Sequence, residues 1–150
     1  FQITRVEALD PRTLQPLEGI LLGGDLTLRI HWRARDPLTD VHFQVLLMRF
    51  DGQISGSTHS RLAMTGTAAR QFVGTGSVTA TLHNLNLVPG GYAVEVWATD
   101  SRHATDYDVH RGLDIRVDGP TDIDGKRYGS YVFDADWDFG VAETMVSQRS

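Results

Sequence analysis

Residues 90–101 read GGYAVEVWATDS, and this stretch decides the fold. Side chains alternate along a β-strand, so Tyr92, Val94, Val96 and Ala98 fall on one wholly apolar face. Ala93, Glu95, Trp97 and Thr99 fall on the other. Pro89, Gly90 and Gly91 mark a turn just before the run. A strand with one face in a core and one in water is the unit of an antiparallel sheet. Trp97 is then the anomaly, a large indole between a carboxylate and a hydroxyl on the wet side.

The same signature repeats outward from this run. FQITRVEAL alternates at the start of the chain, and DPRTLQPLEG breaks the pattern with two prolines. DLTLRIHWRAR places Leu26, Leu28, Ile30, Trp32 and Ala34 on one face, with Thr27, Arg29, His31, Arg33 and Arg35 on the other. Face parity makes Trp32 a core residue. VHFQVLLMRF ends at the Asp51-Gly52 hairpin signal, and QISGSTHS reads as its antiparallel return. Residues 61–76 read as a polar loop, as does SRHATDYD, and SVTATLHNLNL and RGLDIRVDG supply further strands. About seven short strands without helical periodicity predict an all-β, antiparallel, immunoglobulin-like β-sandwich. Residues 1–120 form the sandwich in this reading. Residues 121–150 form an extension, in which Tyr131, Phe133, Trp137 and Phe139 share the parity of one more strand. The run from Val41 to Phe50 is apolar on both faces, which predicts a cover over its outer side: a second subunit or the aromatic C-terminal segment.

A chain of 150 residues suits one domain with a full core. It opens on Phe1, which reads as an excised fragment or a processed product. The net charge of −5, with no basic stripe, argues against nucleic acid. No apolar stretch reaches membrane-spanning length. The absence of cysteine excludes thiolate zinc sites and a cysteine nucleophile, and favours a reducing compartment.

The order of turns and strands carries a family likeness. GDLTLRIHWRARDPLTDVHFQVLLMRFDGQISGSTHS, followed by NLNLVPGGYAVEVWATD, resembles the C-terminal polysaccharide-binding domain of Wzt-type O-antigen ABC transporter ATPases. The shared features are a strand after GD, a PLTD turn before an apolar strand and a DG hairpin. An L-x-x-G-x-Y lead-in and an A-x-x-D-like exit complete the pattern, which covers roughly Ile3 to Val117. The resemblance implies a cytoplasmic domain fused behind a nucleotide-binding domain, through which it reaches a transmembrane transporter subunit. It implies capture of a lipid-linked O-antigen, and a homodimer that exchanges a C-terminal strand.

Motifs for other chemistry are missing. In GPTDIDGKR, Gly119 stands one residue too far from Gly125-Lys126 for a phosphate loop, and Arg127 replaces the required hydroxyl. Asp134, Asp136 and Asp138 alternate, but Phe139 and Met145 occupy the glycine and glutamate positions of a calcium loop. The histidines lack metal-ligand spacing. Neither a G-x-S-x-G elbow nor a marked carboxylate pair is visible. A non-enzyme without cofactor or metal is expected, with any ATPase activity in a separate nucleotide-binding domain.

Trp97 remains. On the sandwich reading its outward neighbours are His42 or Gln44 on one side and Asp114 or Arg116 on the other, with Glu95 and Thr99 on its own strand. Aromatic planes cover the apolar face of a pyranose while planar polar groups hold its hydroxyls. These seven residues are the candidate carbohydrate site. The competing reading packs Trp97 under a loop or in a dimer contact. A rival surface is basic: Arg29, His31 and Arg33 facing Thr79, Thr81 and His83, suited to a phosphate or acidic sugar. An extracellular immunoglobulin-like adhesion module is the alternative function.

Overall fold

The computed structural model describes residues 1–60, 71–120, 122–123, 129–137 and 139–140. Among these residues the chain is all β. The strands are β1 (Gln2–Leu9), β2 (Gly19–Leu21), β3 (Leu26–Leu38), β4 (His42–Arg49), β5 (Ile54–His59), β6 (Phe72–Leu82), β7 (Gly90–Thr99) and β8 (Asp106–Asp118). They form a three-stranded sheet in the order β1-β3-β6 and a five-stranded sheet in the order β2-β8-β7-β4-β5.

The two sheets face each other across one apolar core. Leu26, Leu28, Ile30, Trp32 and Ala34 enter it from β3, Val45 and Leu47 from β4, and Tyr92, Val94, Val96 and Ala98 from β7. The alternation in the sequence therefore assigns faces correctly, because an extended chain reverses side-chain direction at each residue. Trp32 closes one end of the core. It stacks on Phe1 at 5.9 Å and meets Phe72 edge-on at 5.0 Å. Opposite it on β6 stands Gly76, where an added Cβ would come within 2.6 Å of the indole. The other end is pinned by Tyr92, whose buried hydroxyl donates to the carbonyl of Val88. This bond gives the L-x-x-G-x-Y lead-in its physical meaning: the tyrosine ties the turn at Pro89-Gly90 back onto its own strand.

The structure corrects several boundaries. Residues 72–76, expected in a loop, open β6, whose glycines at 74 and 76 weakened the strand signal. SRHATDYD is a turn as far as Thr105, and only its last three residues enter β8, which begins at Asp106. β2 escaped notice at three residues, and it pairs parallel to β8, so the sandwich is not wholly antiparallel. The extension does not form a full strand in its described part. Tyr131 makes an isolated bridge with Leu87, Val88 N–H donates to Ser130 O, and Val132 N–H donates to Asn86 O. Phe133, Trp137 and Phe139 stand in solvent. Residues 61–70, which the sequence predicts as part of the loop, and Lys126, Arg127, Asp138 and the last ten residues lie outside the described residues.

Nor does the described part of the extension lie over the outer side of β4. It bonds to residues 86 and 88, and Ser130 reaches Arg49 and Gln53 at the hairpin end. Leu46 and Met48 are half-buried among their strand neighbours Glu95, Ala93, Ser57 and Ile54. The double apolarity of this strand is thus met partly within the sheet.

Replacing Gly76 by alanine drives a methyl group into the Trp32 ring. We expect a loss of about 1–3 kcal/mol, the usual cost of overpacking, read as a lower denaturant midpoint at unchanged m-value.

Candidate functional site

β7 lies between β4 and β8, and its outward side chains define the middle of the five-stranded sheet's outer face. Trp97 is half-buried there, not between the sheets. Its indole Nε1 donates to Glu95 Oε1 at 3.1 Å, and Arg111 Nε donates to Glu95 Oε2 at 2.9 Å. The Arg111 guanidinium carbon also lies 5.4 Å from the indole centroid. One carboxylate therefore holds an aromatic plane and a cationic plane together, and the cation is attracted by the negative face of the ring.

Arg111 was not among the residues expected at this site. Its signal was Gly112, a glycine inside a strand, which often marks a bulge. The β7–β8 register slips between Val94 and Val96, where Leu113 and His110 are the respective partners, and Gly112 has φ of +102°. The slip presents Arg111 to Glu95.

On the β4 side, Gln44 stands directly opposite Trp97, and His42 stands opposite Thr99. The His42 ring stacks on His59 at 5.6 Å, and His59 meets His103 at 4.5 Å. No group of histidine and acidic side chains with metal-binding geometry occurs among the described residues. Trp97, Glu95, Gln44 and His42 are thus brought together as expected.

The other three candidates are not. Thr99 is 1% exposed, and its hydroxyl donates to the Asp100 carbonyl. Directly opposite His42 in an unbroken β4–β7 ladder, it keeps the outward parity but is covered, so its hydroxyl is not open to a ligand. Asp114 pairs with Ala93 and Arg116 with Gly91, whereas Trp97 pairs with Val109. Antiparallel strands run in opposite directions, so the end of β7 meets the start of β8. Asp114 and Arg116 flank a shallow cleft of about 390 Å³ at the far end of the same face, with Phe50, Gly91 and Glu18. There Arg116 and Asp118 form a two-pronged ion pair, which holds the Asp118 carboxyl below its ordinary pKa.

The basic surface on the other sheet is only partly assembled as expected. Arg29 pairs with Thr79, but His31 pairs with Ser77, Arg33 with Thr75, and Thr81 with Thr27. His83 lies beside Asp25 at 3.6 Å. Glu7 gathers much of the charge, with His31 at 2.6 Å, Arg5 at 3.0 Å and Arg29 at 4.0 Å. The hydrogen bond with His31, and secondarily Arg5, holds the Glu7 carboxyl below its ordinary value.

Two antiparallel-rich sheets around a closed apolar core define a β-sandwich that carries a cluster of aromatic, guanidinium and carboxylate planes on one outer face. The Wzt C-terminal domain family profile matches residues 1–129, and the chain belongs to that family. Membership supports a non-catalytic, carbohydrate-binding domain of an ABC transporter. Among solved structures, the crystal structure of the C-terminal domain of wzt superposes with a TM-score of 0.73 at 12% identity, covering 91% of this chain and 81% of that one. At this identity the likeness concerns the fold. A beta-glucosidase from Listeria innocua in complex with glucose matches at a TM-score of 0.43 and 15% identity, over 77% of this chain and 16% of that one. No curated protein sequence matches the chain.

Two outcomes test the geometry. A double-mutant cycle between Glu95→Ala and Arg111→Ala should show coupling of about 0.5–1 kcal/mol that shrinks in high salt. At Glu7 the folded-state pKa is lowered, so its stabilisation is present above the ordinary glutamate pKa and lost as pH falls through the lowered value. Glu7→Gln should therefore cost under ~1 kcal/mol near neutrality, and the melting-temperature difference should vanish on acidification.

Proposed function

We propose that this domain recognises an O-antigen-type polysaccharide for export by an ABC transporter, as part of lipopolysaccharide biosynthesis, at the cytoplasmic face of the membrane. It would act through a nucleotide-binding domain and a transmembrane subunit, and without chemistry of its own. The observation that carries this reading is the Trp97–Glu95–Arg111 cluster, with Gln44 and His42 beside it, on the outer face of the five-stranded sheet. An aromatic ring supplies an apolar surface for a sugar's C–H face. The planar carboxylate, amide and guanidinium supply directional partners for its hydroxyls. Because Arg111 already lies against the indole, the guanidinium is either displaced by the sugar or becomes one of its hydrogen-bond donors.

Single-site affinity is expected to be weak, since a small, wet sugar site returns little after ordering costs. A homodimer would recover affinity by presenting two sites to one polymer. Phe133, Trp137 and Phe139 are 82%, 81% and 91% exposed, and such a run of uncovered aromatics supports a second copy of the chain as their cover.

Titration with lipid-free O polysaccharide from the source strain, intact and end-trimmed, tests the function. Trp97→Ala should weaken binding about tenfold, ~1.4 kcal/mol. Unchanged affinity would remove Trp97 as the shelf, and equal binding of both polysaccharide forms would remove end recognition. In sedimentation, Trp137→Ala combined with Phe139→Ala should move the equilibrium towards monomer.

A further inference from the structure

We infer that the cleft at Phe50 is a second glycan-contact site, taking a hexose ring further along the same polymer; this rests on the outer face of the five-stranded sheet being the carbohydrate face. Phe50 is 68% exposed, yet its ring is not free to wander. An added Cβ on Gly91 would lie 2.3 Å from Phe50 Cε2, so the ring rests against glycine backbone. The hairpin that carries it is tied by Arg49 N–H to Gln53 O at 2.9 Å and by Gly52 N–H to Arg49 O at 2.8 Å. Gly52, with φ of +88°, takes the left-handed turn position that other residues resist. The ring is thus supported from beneath by a fixed element, with its opposite side in solvent.

The cleft is lined mainly by apolar surface around the ring, with a few charged groups beside it. Glu18, Asp114 and Arg116 line the cleft with the ring. The Asp114 carboxylate makes no hydrogen bond or ion pair among the described residues, and so offers both oxygens to a hydroxyl pair. Arg116 is held in place by Asp118 through Nε and Nη2, which leaves Nη1 available to donate outward. An open aromatic plane with a carboxylate and a guanidinium beside it has the composition expected of a pyranose subsite.

Continuity with the first cluster commits the occupant. Gly91 and Trp97 are six residues apart on β7, about 20 Å at ~3.3 Å per residue. Ala93 and Glu95 lie between them on the same face, beside Met48 and Leu46. A polymer laid along β7 would meet an aromatic ring at each end of that span.

The test is calorimetric titration with size-fractionated O polysaccharide, short and long fragments, supported by amide shift mapping on the full chain. Phe50→Ala should leave thermal stability nearly unchanged, because the ring is exposed, and should weaken binding of long fragments about fivefold while short fragments bind as before. Gly91→Ala, which displaces the ring without deleting it, should reproduce the loss. Shifts at Gly91 and Asp114 should appear only with long fragments. Unchanged long-fragment binding in Phe50→Ala, or equal loss for short and long fragments, would overturn the inference. So would a changed dimer equilibrium with unchanged glycan affinity, which would assign the cleft to a second copy. If Trp97→Ala proves silent while Phe50→Ala weakens binding, the Phe50 site stands and the Trp97 shelf falls.

Discussion

The architecture depends on β7 meeting two solvents at once. Its inward residues build the middle of the core, while its outward residues occupy the middle of the exposed sheet. Reversal of side-chain direction at each residue makes this possible without conflict, and a one-residue slip would exchange the faces. Tyr92 enforces the starting point: its hydroxyl, bonded to Val88, fixes where the strand begins and so which residues look inward. The same strand that completes the fold therefore also sets the spacing of Gly91, Ala93, Glu95 and Trp97 on the surface.

Departures from this regularity create the site chemistry. The register slip at Gly112 delivers Arg111 to Glu95, while Thr99, opposite His42, is buried with its hydroxyl committed to the Asp100 carbonyl. Bulges re-aim individual side chains while leaving the rest of the ladder paired. Arg111 is the larger consequence. Its charge is balanced by Glu95 and its plane lies near the indole, so Trp97 faces solvent as part of a polar assembly and not as a bare hydrophobic surface. Phe50 differs in kind, because glycine backbone supports its ring and no ring or cation contact is made to it among the described residues.

The opposite sheet shows that a row of arginines in a sequence overstates surface charge. Arg5, Arg29 and His31 converge on Glu7, a residue from a different strand whose proximity no local pattern announces. That single carboxylate offsets one unit of the positive charge and leaves the rest of the basic face exposed. The five-stranded sheet, by contrast, gathers aromatic and mixed-charge groups at two places on its outer face.

The sequence by itself determined the all-β class, the DG hairpin, the core faces of β3 and β7, and the outward position of Trp97 with Glu95, Gln44 and His42. All follow from period-two alternation and turn chemistry, which are local and so legible in one chain. The tertiary structure decided that Asp114 and Arg116 belong with Phe50, that Thr99 is buried, that Arg111 joins Trp97, and that β2 pairs parallel to β8. Those facts depend on the register between strands and on where each bulge falls. Register is a relation between segments far apart in the chain, fixed only when both faces of the sandwich are packed.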